Sequence, residues 1–218
     1  MPTDNRILSE GMLETERTFL TLLTAEDLPA MTDMAAEPDT FRYIRKLRIM
    51  TAPEYAQFLQ VKLEQIRDKK GFHWAVWLKE ATGEAHLVDA ASGGGVIGEI
   101  GGTGGTIGKM GAAGQTDAAG RARRTFIGAV NLNPVAGTSM MQIGCQLKRD
   151  YWHQGFASEL MKRIVDFGIK EAGLPTVYGV YEKENQASRR LLEKLGFGWL
   201  ETRNEQGIEV EFYKYPAP

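Results

Sequence analysis

Outside one glycine-rich tract, strand and helix patterns follow one another along this chain in the order β-α-α-β-β-β-α-β-α-β-β. That order calls for a mixed sheet with helices laid against it, an α/β class with a central mixed β-sheet flanked by helices on both faces. "RTFLTLL" is β-rich and ends at Thr24, which opens "TAED", a capping box closed by Asp27, so a strand runs into a short helix. "TAPE" repeats the device: Thr51 caps, Glu54 reaches back, and Tyr55, Phe58, Leu59, Leu63 and Ile66 follow at helical spacing. The spacing predicts a helix from about Ala52 to Lys69. "HWAVWLK" reads as a strand and "ATGE" as a turn; beyond the glycine tract "RTFIGAVNLNP" and "MMQIGCQL" read as two more strands. A helix from about Gly155 to Ala172, the strand "TVYGVY", a helix from about Gln186 to Leu195 and a closing hairpin of "GWLETRN" with "GIEVEFYKY" complete the order.

The glycine tract, from about Glu84 to Arg124, contains "GGGVIG" at residues 93–98, which fits the dinucleotide fingerprint G-x-G-x-x-G. The fingerprint works only as a turn between a buried strand and a helix. Upstream, "AHLVDAAS" offers only Leu87 and Val88 as an apolar pair, and downstream glycine recurs too often for a helix. The tract therefore reads as a mobile surface loop set between two strands of a hairpin. Val96, Ile97, Ile100, Ile107 and Met110 are more apolar than a solvated linker requires, which leaves open a lid over a substrate site or a contact with a second subunit in a homodimer.

With 218 residues, 43% hydrophobic and 25% charged, the chain is expected to form one domain, 1–218, with the insertion at about 84–124. A net charge of −2 supplies no basic field, so no nucleic-acid partner is expected. The single cysteine, Cys145, forms no intramolecular disulfide and fits a reducing compartment. Three histidines and one cysteine, widely spread, predict no metal site. "MPTDNRILSEG" lacks the apolar core of a signal peptide, and no stretch approaches the ~20 apolar residues of a membrane span. The expected location is cytoplasmic.

Two segments point to a function: "IGCQLKRDYWHQGFASEL" and "VYGVYEKENQASRRLLEKLGF". In the first, a strand passes through a turn into a helix at Gly155, where small residues and free first-turn amides make an anion site. These segments resemble the acetyl-CoA-binding signatures of the GNAT N-acetyltransferase superfamily, in its RimJ/RimL-like branch. The resemblance extends to "ETERTFLTLLTAEDLPAM" and so spans the chain except for the glycine tract. It implies the GNAT acyl-CoA N-acyltransferase fold, acetyl-CoA as acyl donor, and a primary amine as acceptor, either a protein N-terminus or a small molecule.

By that resemblance, Leu147, Trp152, Gly155 and Ala157 occupy the anchor positions of the family's diphosphate loop, Trp152 replacing the usual Arg or Gln. The amides of His153, Gln154, Gly155, Phe156, Ala157 and Ser158 are expected to face the diphosphate. A bulge near Gly144 to Leu147 is expected to part its strand from "VYGVY", with pantetheine in the gap against Gln146 and Leu147. Asn185 is expected to hold pantetheine and to cap its helix, two roles that can coexist. The Leu147 N–H is the expected oxyanion donor. The family's leaving-group tyrosine corresponds here to Leu192, so Ser188, one turn earlier, is the expected proton donor to the thiolate. Gln142 stands where the family often has a glutamate base; Tyr151, Asp150, Glu201 or a water chain are open substitutes, and none is assigned. Cys145 is expected to be core rather than nucleophile. The alternative to an enzyme is a CoA-binding regulatory or interaction module without turnover, suggested by Gln142 and Leu192.

Overall fold

Eight strands form one sheet in a computed structural model that describes residues 12–37, 40–44, 47, 50–79 and 124–216. The glycine tract lies outside the described residues except for Arg124. In chain order the elements are β1 (Met12–Glu14), β2 (Thr18–Leu22), α1 (Leu28–Ala35), α2 (Ala52–Arg67), β3 (Phe72–Leu78), β4 (Phe126–Pro134) and β5 (Met141–Leu147). They continue as α3 (Phe156–Asp166), β6 (Val177–Glu182), α4 (Gln186–Lys194), β7 (Gly198–Glu205) and β8 (Ile208–Tyr215). The strand order across the sheet is β1-β2-β3-β4-β5-β6-β8-β7. Only β5 and β6 pair in parallel; every other described neighbour pair is antiparallel.

Alternation along the central strands divides the core between the two faces. On one face α1 and α2 bring Met31, Met34, Tyr55 and Leu59 against Ala75 and Phe126. On the other, α3 and α4 bring Leu160, Ile164 and Leu192 against Trp74, Val76, Ile127, Val130 and Val177. The expected mixed sheet with helices on both faces is thus the observed one. Both capping boxes form: the Thr24 N–H donates to Asp27 Oδ2 at 2.7 Å, and the Thr51 N–H donates to Glu54 Oε2 at 2.7 Å. The first opens a single 3₁₀ turn, Ala25–Asp27, which leads directly into α1.

The structure adds a short first strand, β1, which pairs with β2 and is too brief to show a period of its own. The helix expected from about Gly155 to Ala172 is present over that span, regular as α3 as far as Asp166. From Phe167 to Glu171 the helix widens into a π turn. There Phe167 meets the stacked rings of Phe72 and Trp74 edge-on, with ring centroids 5.0 and 5.2 Å away, and a Cβ on Gly168 would come within 2.9 Å of Val177 Cγ1. A wider turn is one way for a helix to keep a bulky side chain seated at so close a crossing.

Candidate active site

Parallel pairing between β5 and β6 is confined to Gln142 with Tyr178 and Ile143 with Gly179. Beyond Ile143 the two strands part, and β5 continues to pair with β4 alone as far as Leu147. The expected gap is therefore present, but its cause is not a bulge on β5. The β4–β5 register runs without a slip from Met141 to Leu147, and the irregularity of this part of the sheet lies at Val76/Trp77 on β3. Past this point β5 leads toward α3 and β6 toward α4.

The ladder fixes which backbone groups look into this gap. The Lys148 N–H donates to the Ile127 carbonyl on the β4 side at 2.9 Å. In an antiparallel pair such groups alternate, so Gln146 and Gly144 also turn toward β4, while Ile143, Cys145 and Leu147 turn toward β6. The Gln146 carbonyl confirms its direction, lying 2.2 Å from where a Cβ on Gly128 of β4 would stand. Gln146 thus differs from its expected placement: its backbone is directed to the ladder, and Cys145 takes its place beside Leu147 at the gap. Side chains alternate as well. Ile143, Cys145 and Leu147 pack on the α3/α4 face, which places the half-buried Gln142 and Gln146 on the α1/α2 face. Burial pushes the Cys145 thiol up to about 12, a value at which it holds its proton at neutral pH and is a poor nucleophile.

After β5 a 3₁₀ turn, Arg149–Tyr151, leads into the loop that starts α3. Trp152 closes this loop onto the strand, its indole Nε1 donating to the Leu147 carbonyl at 2.8 Å. The Leu147 carbonyl is thereby occupied, while its N–H still faces the opening. His153 and Gly155 both adopt left-handed backbone, with φ of 59° and 84°. Gly155 is the N-cap of α3 and has no side chain with which to cap it, so the Phe156, Ala157 and Ser158 amides lack the usual side-chain acceptor. Of the other expected loop residues, Gln154 folds its side chain back, Nε2 donating to the Asp150 carbonyl at 2.6 Å. The Phe156 ring is buried against Tyr151, 5.9 Å between centroids, so only its amide is presented outward.

Across the gap, Asn185 caps α4, its Oδ1 accepting from the Ser188 N–H at 3.1 Å. This leaves the amide Nδ2 for other partners. Ser188 is half-buried on the first turn of α4. Leu192, one turn further, is 3% exposed and lies over β6, where a Cβ on Gly179 would come within 2.4 Å of its Cδ1. A side chain there fills core. Glu201, one of the open base candidates, is tied to Arg203 on β7.

Three features at this site were not legible in the sequence. Arg17, between β1 and β2, reaches the start of α3 from 142 positions away. Glu37, just after α1, accepts from the Arg149 N–H at 3.1 Å and lies 3.4 Å from Lys148 Nζ, tying the α1/α2 face to the end of β5. A cavity of about 410 Å³ opens between α1 and α2, lined by Glu37, Phe41, Met50, Thr51 and Tyr55 among others. Contacts of this kind carry no local pattern, since they form only after the sheet has brought the segments together. Among the described residues no group of three His, Cys, Asp or Glu is placed to hold a metal, and no helix is long and apolar enough to cross a membrane.

Residues 108–198 match the acetyltransferase (GNAT) domain family. The uncharacterized N-acetyltransferase YoaA of Bacillus subtilis (strain 168) is 23% identical over 187 residues, which cover 85% of this chain and 82% of that protein. Among solved structures, RimL, a ribosomal L7/L12 alpha-N-protein acetyltransferase in complex with coenzyme A, superposes with a TM-score of 0.63 at 10% identity, covering 93% of this chain and 96% of that one. A spermidine N-acetyltransferase from Vibrio cholerae, in complex with CoA and spermine, gives 0.60 at 15% identity, covering 90% and 94%.

Proposed function

We propose, from the match of residues 108–198 to the GNAT acetyltransferase domain family and the likeness to YoaA, that the chain is a GNAT acetyltransferase that transfers the acetyl group of acetyl-CoA to a primary amine by direct attack, as a RimJ/RimL-like, cytoplasmic enzyme. The observation that carries this reading is the open seam between β5 and β6, which ends beside an uncapped helix start. A seam with unsatisfied strand edges suits a pantetheine arm, whose two amides can pair with backbone, and a helix start with free amides suits a diphosphate. His153, Gln154, Gly155, Phe156, Ala157 and Ser158 would contribute the diphosphate cradle, Cys145 and Leu147 the strand edge, and Asn185 Nδ2 a contact from the other side of the seam.

Acetyl-CoA supplies an activated carbonyl carbon and a thiolate leaving group. The Leu147 N–H faces the seam and would donate to the carbonyl oxygen as negative charge builds there. Such preorganised donors are worth about 10²–10³ in rate. The new C–N bond forms as the C–S bond breaks, and Ser188 on the first turn of α4 would pass a proton to the departing sulfur. The amine's own proton leaves through water, which returns a proton to the Ser188 hydroxyl, so the serine ends the step as it began. The acceptor would enter from the α1/α2 face, where Gln142, Gln146 and the cavity beside Tyr55 lie. Both a peptide N-terminus and a polyamine are acceptors named for proteins of this fold, and either would satisfy this chemistry.

A second reading is a CoA-binding module without turnover, favoured by Leu192, which packs over Gly179 and has no proton to give. A thiol-release screen with acetyl-CoA and N-terminal peptides, polyamines, aminoglycosides and amino acids separates the two. The enzyme releases free CoA with at least one acceptor class. A protein that binds CoA and releases none with any of them is the module instead.

A further inference from the structure

One side chain joins the turn between β1 and β2 to the start of α3. Arg17 donates its backbone N–H to Glu159 Oε1 at 2.9 Å and its Nε to Glu159 Oε2 at 2.7 Å. Its Nη1 donates to the Gln154 carbonyl at 3.0 Å. The guanidinium carbon stands 3.9 Å from the centroid of the Phe156 ring, and Nη2 lies 3.5 Å from where a Cβ on Gly155 would be. A single planar group therefore meets Gln154, Gly155, Phe156 and Glu159, the residues that shape the entry to α3. Burial acts to raise the Glu159 pKa, but bonds from the Thr15 hydroxyl and from Arg17 outweigh it and hold this carboxyl below its ordinary range.

Two consequences follow from elementary geometry and charge. In a trans peptide the carbonyl and the following N–H point to opposite sides. By holding the Gln154 carbonyl, Arg17 turns the Gly155 N–H away from itself, to the opposite side of the loop. Glu159, in the first turn of α3, would otherwise present a bare negative charge beside an anion site; the Arg17 ion pair neutralises it. Lysine could supply the charge but not the fixed fork that spans a carboxylate and a carbonyl.

We propose that Arg17 is a positioning residue of the diphosphate loop, holding the Gln154–Gly155 peptide and the Glu159 carboxylate in the arrangement that admits an anion; this rests on the reading of that loop as the CoA cradle. The test compares CoA with pantetheine, which occupies the seam but has no diphosphate. Calorimetry should show that Arg17→Gln and Arg17→Lys each weaken CoA binding by on the order of ten- to a hundredfold. Saturation-transfer NMR should show pantetheine binding unchanged in the same variants. CoA binding equal to wild type in a folded Arg17 variant overturns the proposal, as does an equal loss for CoA and pantetheine, which would mean general loss of structure. Should the Arg17 variants fail to fold, Glu159→Gln releases the same anchor with little change in shape. With the carboxylate gone, the guanidinium loses the partner that fixes it against the Gln154 carbonyl, a loss expected to outweigh the relief of negative charge beside the anion, so CoA weakens and pantetheine does not; wild-type CoA affinity in it overturns the proposal equally. Wild-type protein that binds no CoA removes the cradle itself, an outcome distinct from normal binding by the variants.

Discussion

At the scale of single residues, the candidate site depends on backbone more than on side chains. Gly155 shows this: its φ of 84° is costly for any residue with a Cβ, yet a Cβ there would touch only Arg17 Nη2 at an ordinary 3.5 Å. The protein leaves room at this point, and the restriction comes from the left-handed angle and from whatever occupies the loop. Trp152 makes the same point, because its indole N–H is bonded to Leu147 and is not offered to a ligand. The residue expected to act through its side chain is Ser188. Ser188→Ala should lower kcat by about a hundredfold or more while leaving CoA affinity nearly unchanged, since a proton given to a leaving group matters mainly in the transition state. Steady-state kinetics with the acceptor found in the screen, alongside calorimetry, checks this. Unchanged kcat removes Ser188 from the mechanism.

At the scale of elements, much was readable because the signals are local. Both capping boxes, the helical spacing after Thr51 and the alternation in "TVYGVY" each specify their element without help from the rest of the chain. The closing hairpin is similar, its two-residue turn at Gln206 and Gly207 having the paired positive φ angles, 53° and 87°, that suit the twist of a tight hairpin. What local patterns could not specify is pairing. The brief β1, the π turn at Phe167, the direction of the Gln146 backbone and the splay between β5 and β6 depend on neighbours far away in sequence. The α3 helix buries Phe156, Leu160, Met161, Ile164 and Val165, and Leu160 is fully buried at 0% exposure, whereas Val61 on α2 is 45% exposed. Leu160→Ala should cost about 2–5 kcal/mol of folding stability, and Val61→Ala no more than about 0.5 kcal/mol. Urea unfolding of the two variants tests whether α3 is anchored as described; equal midpoints would show that it is not.

At the scale of the whole molecule, pH should act through the sheet as well as through the carboxylates. His73 on β3 is buried; burial and then the charge of Lys62 lower its pKa to about 3, while its Nε2 lies 3.1 Å from Gln65 Oε1. The unfolded chain, with a histidine pKa of about 6.5, therefore binds a proton that the folded chain refuses. Stability from this residue is complete above about pH 6.5 and declines as the pH falls from there toward about 3. Urea midpoints measured between pH 7 and pH 5 should fall with acid in the wild type and fall less steeply in His73→Phe; identical slopes would show that His73 does not titrate in this way. The most direct measurement of the central claim sets the two glycine stretches against each other. CoA is titrated by calorimetry into wild type, Gly155→Val and Gly95→Val, each shown by circular dichroism to be folded. If "WHQGFA" forms the cradle, Gly155→Val weakens binding on the order of tenfold to several-hundredfold, through one or two lost charge-assisted amide bonds, and Gly95→Val binds as wild type does. Normal binding by Gly155→Val together with a loss in Gly95→Val would contradict the account and place the phosphate site in the glycine tract.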